Sequence, residues 1–119
     1  MPLFGRSPPA PRRQHPDPAI ERELERIRQL QRRYQVKEDQ INDYRVEIDE
    51  LHKQLRRYGH RLSAGHGSPV DNNRAIEIAD QRVISLQGEI RSLEADIDRI
   101  HDEIGRRQDQ LNSDDLAYL

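Results

Sequence analysis

The chain has 119 residues, of which 35% are charged and 33% hydrophobic, and it contains no tryptophan. That is too little apolar mass for a compact globular core, but it is enough for a coiled coil, where about two positions in seven are buried. The absence of cysteine excludes disulfides, thiolate catalysis and cysteine-based zinc sites. The formal net charge of -2 provides no overall field that would attract nucleic acid or an anionic membrane.

Signals for export or membrane insertion are missing from the sequence. No apolar run approaches the roughly 18 residues of a transmembrane helix, and the first residues lack the apolar stretch of a secretory signal peptide. We therefore expect a soluble, intracellular protein, located in the cytoplasm.

Residues 1–16 hold five of the seven prolines and three arginines, with no acidic residue. Proline breaks helices and removes backbone donors, so this composition predicts a disordered Pro/Arg-rich arm. Pro8, Pro11 and Arg13 match the spacing of a polyproline II ligand, which makes them a candidate partner peptide. The alternative is a plain solvated tail.

A first long helix is expected over residues 17–64. Asp17 suits the N-cap and Pro18 the first helical position. Apolar residues then recur every seven positions and define one column of a seam: Ile20, Ile27, Tyr34, Ile41, Ile48, Leu55 and Leu62. The column three residues further on is apolar at Leu30, Tyr44, Leu51 and Tyr58 but charged at Glu23 and Lys37. We therefore expect the seam to fray towards the start of the chain.

Residues 65–68 predict a Gly-rich turn, because Gly65 can end a helix in the left-handed conformation and Ser68 can cap the next one before Pro69. A second long helix is expected over residues 69–112. Its seam is the most regular feature of the sequence: Ile76, Val83, Ile90, Ile97, Ile104 and Leu111 in one column, and Ala79, Leu86, Leu93 and Ile100 in the other.

Residues 113–119 form an acidic and then apolar tail. Leu116, Tyr118 and Leu119 make it a candidate docking peptide for a larger partner. The alternatives are a frayed end or a patch folded back on the coil.

Together these elements predict an all-α protein, an antiparallel two-helix coiled-coil hairpin that oligomerises. A register centred on Gly67 makes Tyr58 face Ile76 and Leu30 face Ile104, and it places Glu23 and Arg107 one layer apart, where they could pair. The predicted core and oligomerisation seam comprises sixteen residues: Leu30, Tyr34, Ile41, Tyr44, Ile48, Leu51, Leu55, Tyr58, Ile76, Val83, Leu86, Ile90, Leu93, Ile97, Ile100 and Ile104.

A long parallel coiled-coil dimer with a kink near residues 65–69 is the alternative fold. The heptad phase of the first helix continues into the second, because Leu62, Pro69 and Ile76 are also seven residues apart. Against this arrangement, Pro69 would fall on the seam beside two glycines.

Two surface features favour association. Val36, Val46, Ile78 and Ile84 are apolar but lie off the seam, and they are expected to offer a second face. The first helix is also banded in charge: residues 38–50 carry six acids and one arginine, whereas residues 52–61 carry four bases and no acid. Such bands can set the stagger of an assembly.

The residue pattern contains no sign of catalysis. The five histidines, His15, His52, His60, His66 and His101, include no close pair for a metal, and no nucleophile has a local base. We expect no enzyme activity, no cofactor, no metal and no small-molecule substrate.

The predicted function is a non-catalytic scaffold or adaptor subunit that binds itself, a larger protein complex, or both. Alternatives are a nucleic-acid-associated structural subunit, for example of a virion or nucleoprotein, and a membrane-linked assembly subunit.

Overall fold

A computed structural model describes residues 17–119 of the chain. Three helices make up this part: α1 (Pro18–Ala64), α2 (Pro69–Asp109) and the single-turn α3 (Ser113–Leu116). The N-terminal arm, with the candidate peptide residues Pro8, Pro11 and Arg13, lies outside the described residues.

The helices α1 and α2 fold back on each other as an extended hairpin. The molecule is a rod of 97 × 22 × 16 Å. The predicted all-α helical hairpin is therefore confirmed, and the two helices of one chain pack together in the antiparallel sense. The kinked parallel coil is not the arrangement found.

Gly65 and Gly67 make the fold-back possible, because both adopt positive φ angles, 71° and 72°, a region that favours glycine. The N–H of Gly65 donates to the Leu62 carbonyl (3.2 Å) and that of His66 to the Arg61 carbonyl (2.8 Å). These two bonds form the Schellman motif that satisfies the last carbonyls of a helix.

The start of α2 is capped by Ser68, whose hydroxyl accepts the Asp71 N–H at 3.4 Å. Asn72 then ties the helix to the turn: its side-chain amide donates to the His66 carbonyl at 2.8 Å, and the residue is only 5% exposed. This buried asparagine was not predicted. Capping of α1 differs from expectation, because Asp17 occupies the N-cap position without a capping bond from its side chain.

The core lies at the middle of the hairpin. Ile41, Ile48, Val83, Leu86 and Ile90 form one buried cluster. Partly buried side chains extend it along the seam on both helices: Tyr44, Leu51, Leu93 and Ile97.

The second helix is shorter than expected, since it ends at Asp109 rather than at residue 112. The side-chain oxygen of Asn112 accepts the Asp115 N–H at 2.8 Å and starts a new helical turn, α3. Because asparagine competes well for cap positions, it redirects the chain here instead of continuing α2.

The expected fraying at the start of α1 is wrong. Leu24, Ile27 and Leu30 are all 0% exposed. Leu24 supplies the apolar side chain that its neighbour Glu23 lacks. The end of the chain also returns to this part of α1, where Arg28 donates to the Tyr118 carbonyl at 2.6 Å.

Candidate interaction surface

Seven of the sixteen predicted seam residues are buried inside the hairpin: Leu30, Ile41, Ile48, Val83, Leu86, Ile90 and Ile100. The other nine are half-buried: Tyr34, Tyr44, Leu51, Leu55, Tyr58, Ile76, Leu93, Ile97 and Ile104. The seam side chains therefore stabilise the hairpin, and much of their surface is already covered within the single chain. A partner has to bind elsewhere or complete the cover of the half-buried residues.

Three buried seam-side residues, Leu24, Ile27 and Ala79, lie outside that set of sixteen. Leu24 follows Ile20 by four residues and precedes Ile27 by three, which is the spacing of a helix face. A search for faces rather than strict heptads would have found it.

Ion pairs between the helices flank the seam on both sides. Arg82 donates two hydrogen bonds to the carboxylate of Glu47, at 2.8 and 3.3 Å. These bonds and the negative charge of Glu47 raise the pKa of Arg82. On the opposite flank Arg45 reaches Glu94 at 3.3 Å. Such exposed pairs add little stability singly, but they fix the register of the two helices.

Lys37 and Tyr44 show how polar groups are accommodated on the seam. The ammonium of Lys37 reaches Asp96 on α2 at 3.3 Å, so its aliphatic stem covers the seam while its charge lies at the rim. The Tyr44 hydroxyl is hydrogen-bonded to Glu89, and this bond, followed by the negative charge of Glu89, raises the pKa of Tyr44.

The open end of the hairpin carries a charged cluster. Arg107 bonds to Glu103 at 2.9 Å and also pairs with Glu23 on α1, and Arg26 approaches Glu103 at 3.8 Å. The hydrogen bond from Arg107 lowers the pKa of Glu103, while Glu23 and Glu103 raise the pKa of Arg107. The contact between Glu23 and Arg107 that the register suggested is present.

The candidate C-terminal peptide lies partly against the rod. Leu116 and Tyr118 are half-buried, and Leu119 is exposed. Asp115, in α3, is 3% exposed. Much of the apolar surface proposed for docking is thus already covered within the chain.

The four off-seam aliphatics are all exposed, but they do not form the expected second face. Val36, Val46, Ile78 and Ile84 are 58%, 64%, 60% and 65% exposed. Counted from the seam, Val46 lies on the side opposite it, Ile84 on one flank, and Val36 and Ile78 on the other. Val36 and Ile78 also lie at different levels of the rod, since the antiparallel register places residue 36 opposite the far part of α2.

Part of the surface of α1 that faces away from the seam is here called the outer column of α1. It consists of eight exposed residues spaced alternately by three and four: Val36, Asp39, Asp43, Val46, Glu50, Lys53, Arg57 and His60. Its first half carries two aspartates and its far end a lysine, an arginine and a histidine.

The described part of the chain contains a groove of about 480 Å³ that is open to solvent. It is lined by Glu38, Ile41, Asn42, Arg45, Glu94, Ile97 and Asp98. Within residues 17–119 there is no cluster of three or more side chains suited to a metal ion. Nor does any helix in that range have a stretch both long and apolar enough to span a bilayer.

Comparison of the chain with protein families, with curated proteins and with solved structures finds no match.

Proposed function

We propose that this protein is a non-catalytic coiled-coil scaffold or adaptor subunit that associates with copies of itself, with a larger protein complex, or with both. The observation that carries the proposal is the exposure of Val36, Val46, Ile78 and Ile84, each more than half accessible to solvent. β-branched residues favour buried positions, and because these four lie on different sides of the rod, contacts on more than one side would be needed to cover them all.

The shape of the molecule supports the same function. A rod 97 Å long and 16 Å thick has a large surface for lateral contacts. Its seam also leaves nine side chains half-buried, and a further helix laid along the rod would cover them.

Sedimentation equilibrium tests the proposal. The wild-type chain is expected to sediment with at least twice its mass of 14.0 kDa. Changing Val36, Val46, Ile78 and Ile84 together to Gln should return it to the mass of one chain while its helical circular dichroism is kept. The matched control is Val70→Gln, which alters a valine that is 74% exposed but lies at the turn end of the rod.

A monomeric wild type at concentrations up to about 100 μM would remove the self-association part of the proposal. A quadruple variant that keeps the wild-type mass would show that these aliphatics do not carry the contact.

Nucleic-acid association is the second candidate, and the turn end of the rod favours it. Arg56, Arg57 and Arg61 are exposed there, with no ion pair to other described residues. Phosphate binding by these arginines predicts retention on an immobilised polyanion that is lost between low and moderate salt. No retention at low salt would eliminate this candidate.

A further inference from the structure

The two ends of the outer column of α1 carry opposite charges. Its acidic residues Asp39 and Asp43 precede Val46, whereas its basic residues Lys53 and Arg57 follow Glu50. The spacing alternates between three and four residues, so these side chains form one line along the helix. The same spacing is used by the seam of a coiled coil.

The charges of the column change sign between Glu50 and Lys53. A second copy of α1, laid antiparallel with its Ile48 opposite this one, places its Arg57 against Asp39 and its Lys53 against Asp43. A two-fold axis repeats both contacts, giving four ion pairs in a self-complementary interface. In the same register Val46 faces Glu50 of the second copy and Val36 faces its His60.

The charged groups of the column are available for such contacts. Asp43 and Arg57 have no ion pair or hydrogen bond among the described residues. Lys53 reaches only Glu50, one turn away on the same helix at 3.2 Å, and Asp39 accepts a bond only from Gln35. None of the four has a hydrogen bond or ion pair to the described residues of α2.

Parallel arrangements are less favourable. A parallel copy of α1 in register would place the aspartates of one chain against those of the other, and like charges in contact are unfavourable. A parallel copy shifted by 14 residues pairs Asp39 with Lys53 and Asp43 with Arg57, but each chain then uses only half of its column and the contact does not close into a two-fold dimer. The equivalent column of α2 is uncharged over residues 78–95, namely Ile78, Gln81, Ser85, Gly88, Ser92 and Ala95, and gives no preferred orientation.

We propose that two copies of this protein pair through the outer columns of α1, antiparallel, with a two-fold axis near Ile48. This pairing rests on the proposed function, because it specifies the surface and the geometry of self-association. The four ion pairs set direction and register.

A charge exchange tests the pairing. One variant carries Asp39→Lys with Asp43→Lys, and the other carries Lys53→Glu with Arg57→Glu. Each variant alone places like charges across the axis and should be monomeric by sedimentation. An equimolar mixture of the two variants places the basic column of one chain against the acidic column of the other. It should recover a dimer that contains one chain of each kind.

Circular dichroism checks that each variant keeps its helices. The matched control is Arg91→Glu, an exposed charge reversal on α2, which should leave the dimer intact. Raising salt from about 50 mM to about 500 mM should weaken the wild-type dimer about tenfold, because exposed charges are screened over the shorter Debye length.

Each outcome is decisive. If both charge variants self-associate as tightly as the wild type, the α1 interface is wrong while self-association stands. If both are monomeric and their mixture stays monomeric, these charges do not pair across the interface and the proposed pairing is wrong. If the wild type itself is monomeric at low salt, the pairing and the self-association part of the proposed function both fail.

Discussion

At the scale of single residues, Gly59 inside α1 and Gly65 directly after α1 have opposite roles. Gly65 ends the helix with a φ of 71°, whereas Gly59 lies inside the helix and has no atom within 4 Å of the position of an added Cβ. The same substitution should therefore have opposite effects at the two positions.

Gly65→Ala should lower the free energy of unfolding by about 1 kcal/mol, because alanine is strained in the left-handed region. Gly59→Ala should raise it by about 0.5–1 kcal/mol, because alanine favours the helix and restricts the unfolded chain. Urea denaturation of both variants measures the difference. Equal effects at the two glycines would contradict the turn geometry.

Leu86 is the most deeply buried residue of α2, with 0% exposure, whereas Ile84 is 65% exposed two residues earlier. Leu86→Ala should cost about 2–5 kcal/mol of unfolding free energy, since it removes core volume that the rod cannot refill. Ile84→Ala should change it by less than about 0.5 kcal/mol. Denaturation of both variants is followed at the same protein concentration, chosen low enough to dissociate any assembly, because Ile84 is one of the residues proposed to carry association.

The same contrast between core and surface decides what could be predicted from the sequence. Heptad spacing predicts the hairpin and the burial of Ile41, Leu86 and Ile90, because seven-residue repeats record which side of a helix is covered. It misses Leu24, which breaks the strict repeat, and Asn72, whose burial depends on where the turn places the His66 carbonyl. Local composition does not report such long-range geometry.

At the scale of elements, the open end of the hairpin joins α1 and α2 through charge. Glu103 is faced by Arg107 and Arg106 on its own helix and by Arg26 from α1, and its pKa is lowered, chiefly by the hydrogen bond from Arg107. The folded state therefore favours the charged carboxylate. Its contribution to stability is present above the ordinary pKa of 4.5 and is lost as the pH falls through the lowered value.

Thermal unfolding followed from pH 7 into the acid range should show this loss below the ordinary glutamate pKa of 4.5. Glu103→Gln should flatten that part of the profile. Glu77→Gln serves as the control, because Glu77 is exposed and has no ion pair among the described residues. Equal acid profiles for Glu103→Gln and the wild type would contradict the role of the cluster.

The C-terminal segment belongs to this same end. The backbone carbonyl of Tyr118 accepts a hydrogen bond from Arg28. The N-cap of α3 is Asn112, a residue that the composition identifies only as polar. The sequence predicts either a tail that docks on a partner or one that folds back on the rod. It does not distinguish between them, because both arrangements use the same apolar residues. Leu116 and Tyr118 are half-buried in the single chain.

At the scale of the whole molecule, the chain is a rod with one internal seam and a patterned exterior. The off-seam aliphatics were expected to form one face, but helical phase separates them around the rod. Association guided by the charge column of α1 therefore fits the surface better than a second continuous apolar stripe. The sequence predicts assembly as the function and identifies no partner, because a partner would contact exposed residues that tolerate many alternatives.

The proposed scaffold depends on the fold-back at Gly65, which keeps the outer column of α1 on the outside of a short rod. The chain has no cysteine, so Gln31→Cys and Asp102→Cys give two unique sites for spin labels. Dilution with unlabelled protein restricts pulsed electron resonance to distances within one chain.

The hairpin predicts a distance below about 30 Å between these labels, since packed helices lie about 10 Å apart and the label arms add the rest. An extended helix would separate the two positions by about 100 Å at 1.5 Å per residue. A short, narrow distance distribution is the expected result. The loss of any signal below about 60 Å would contradict the folded-back rod and the α1 interface built on it.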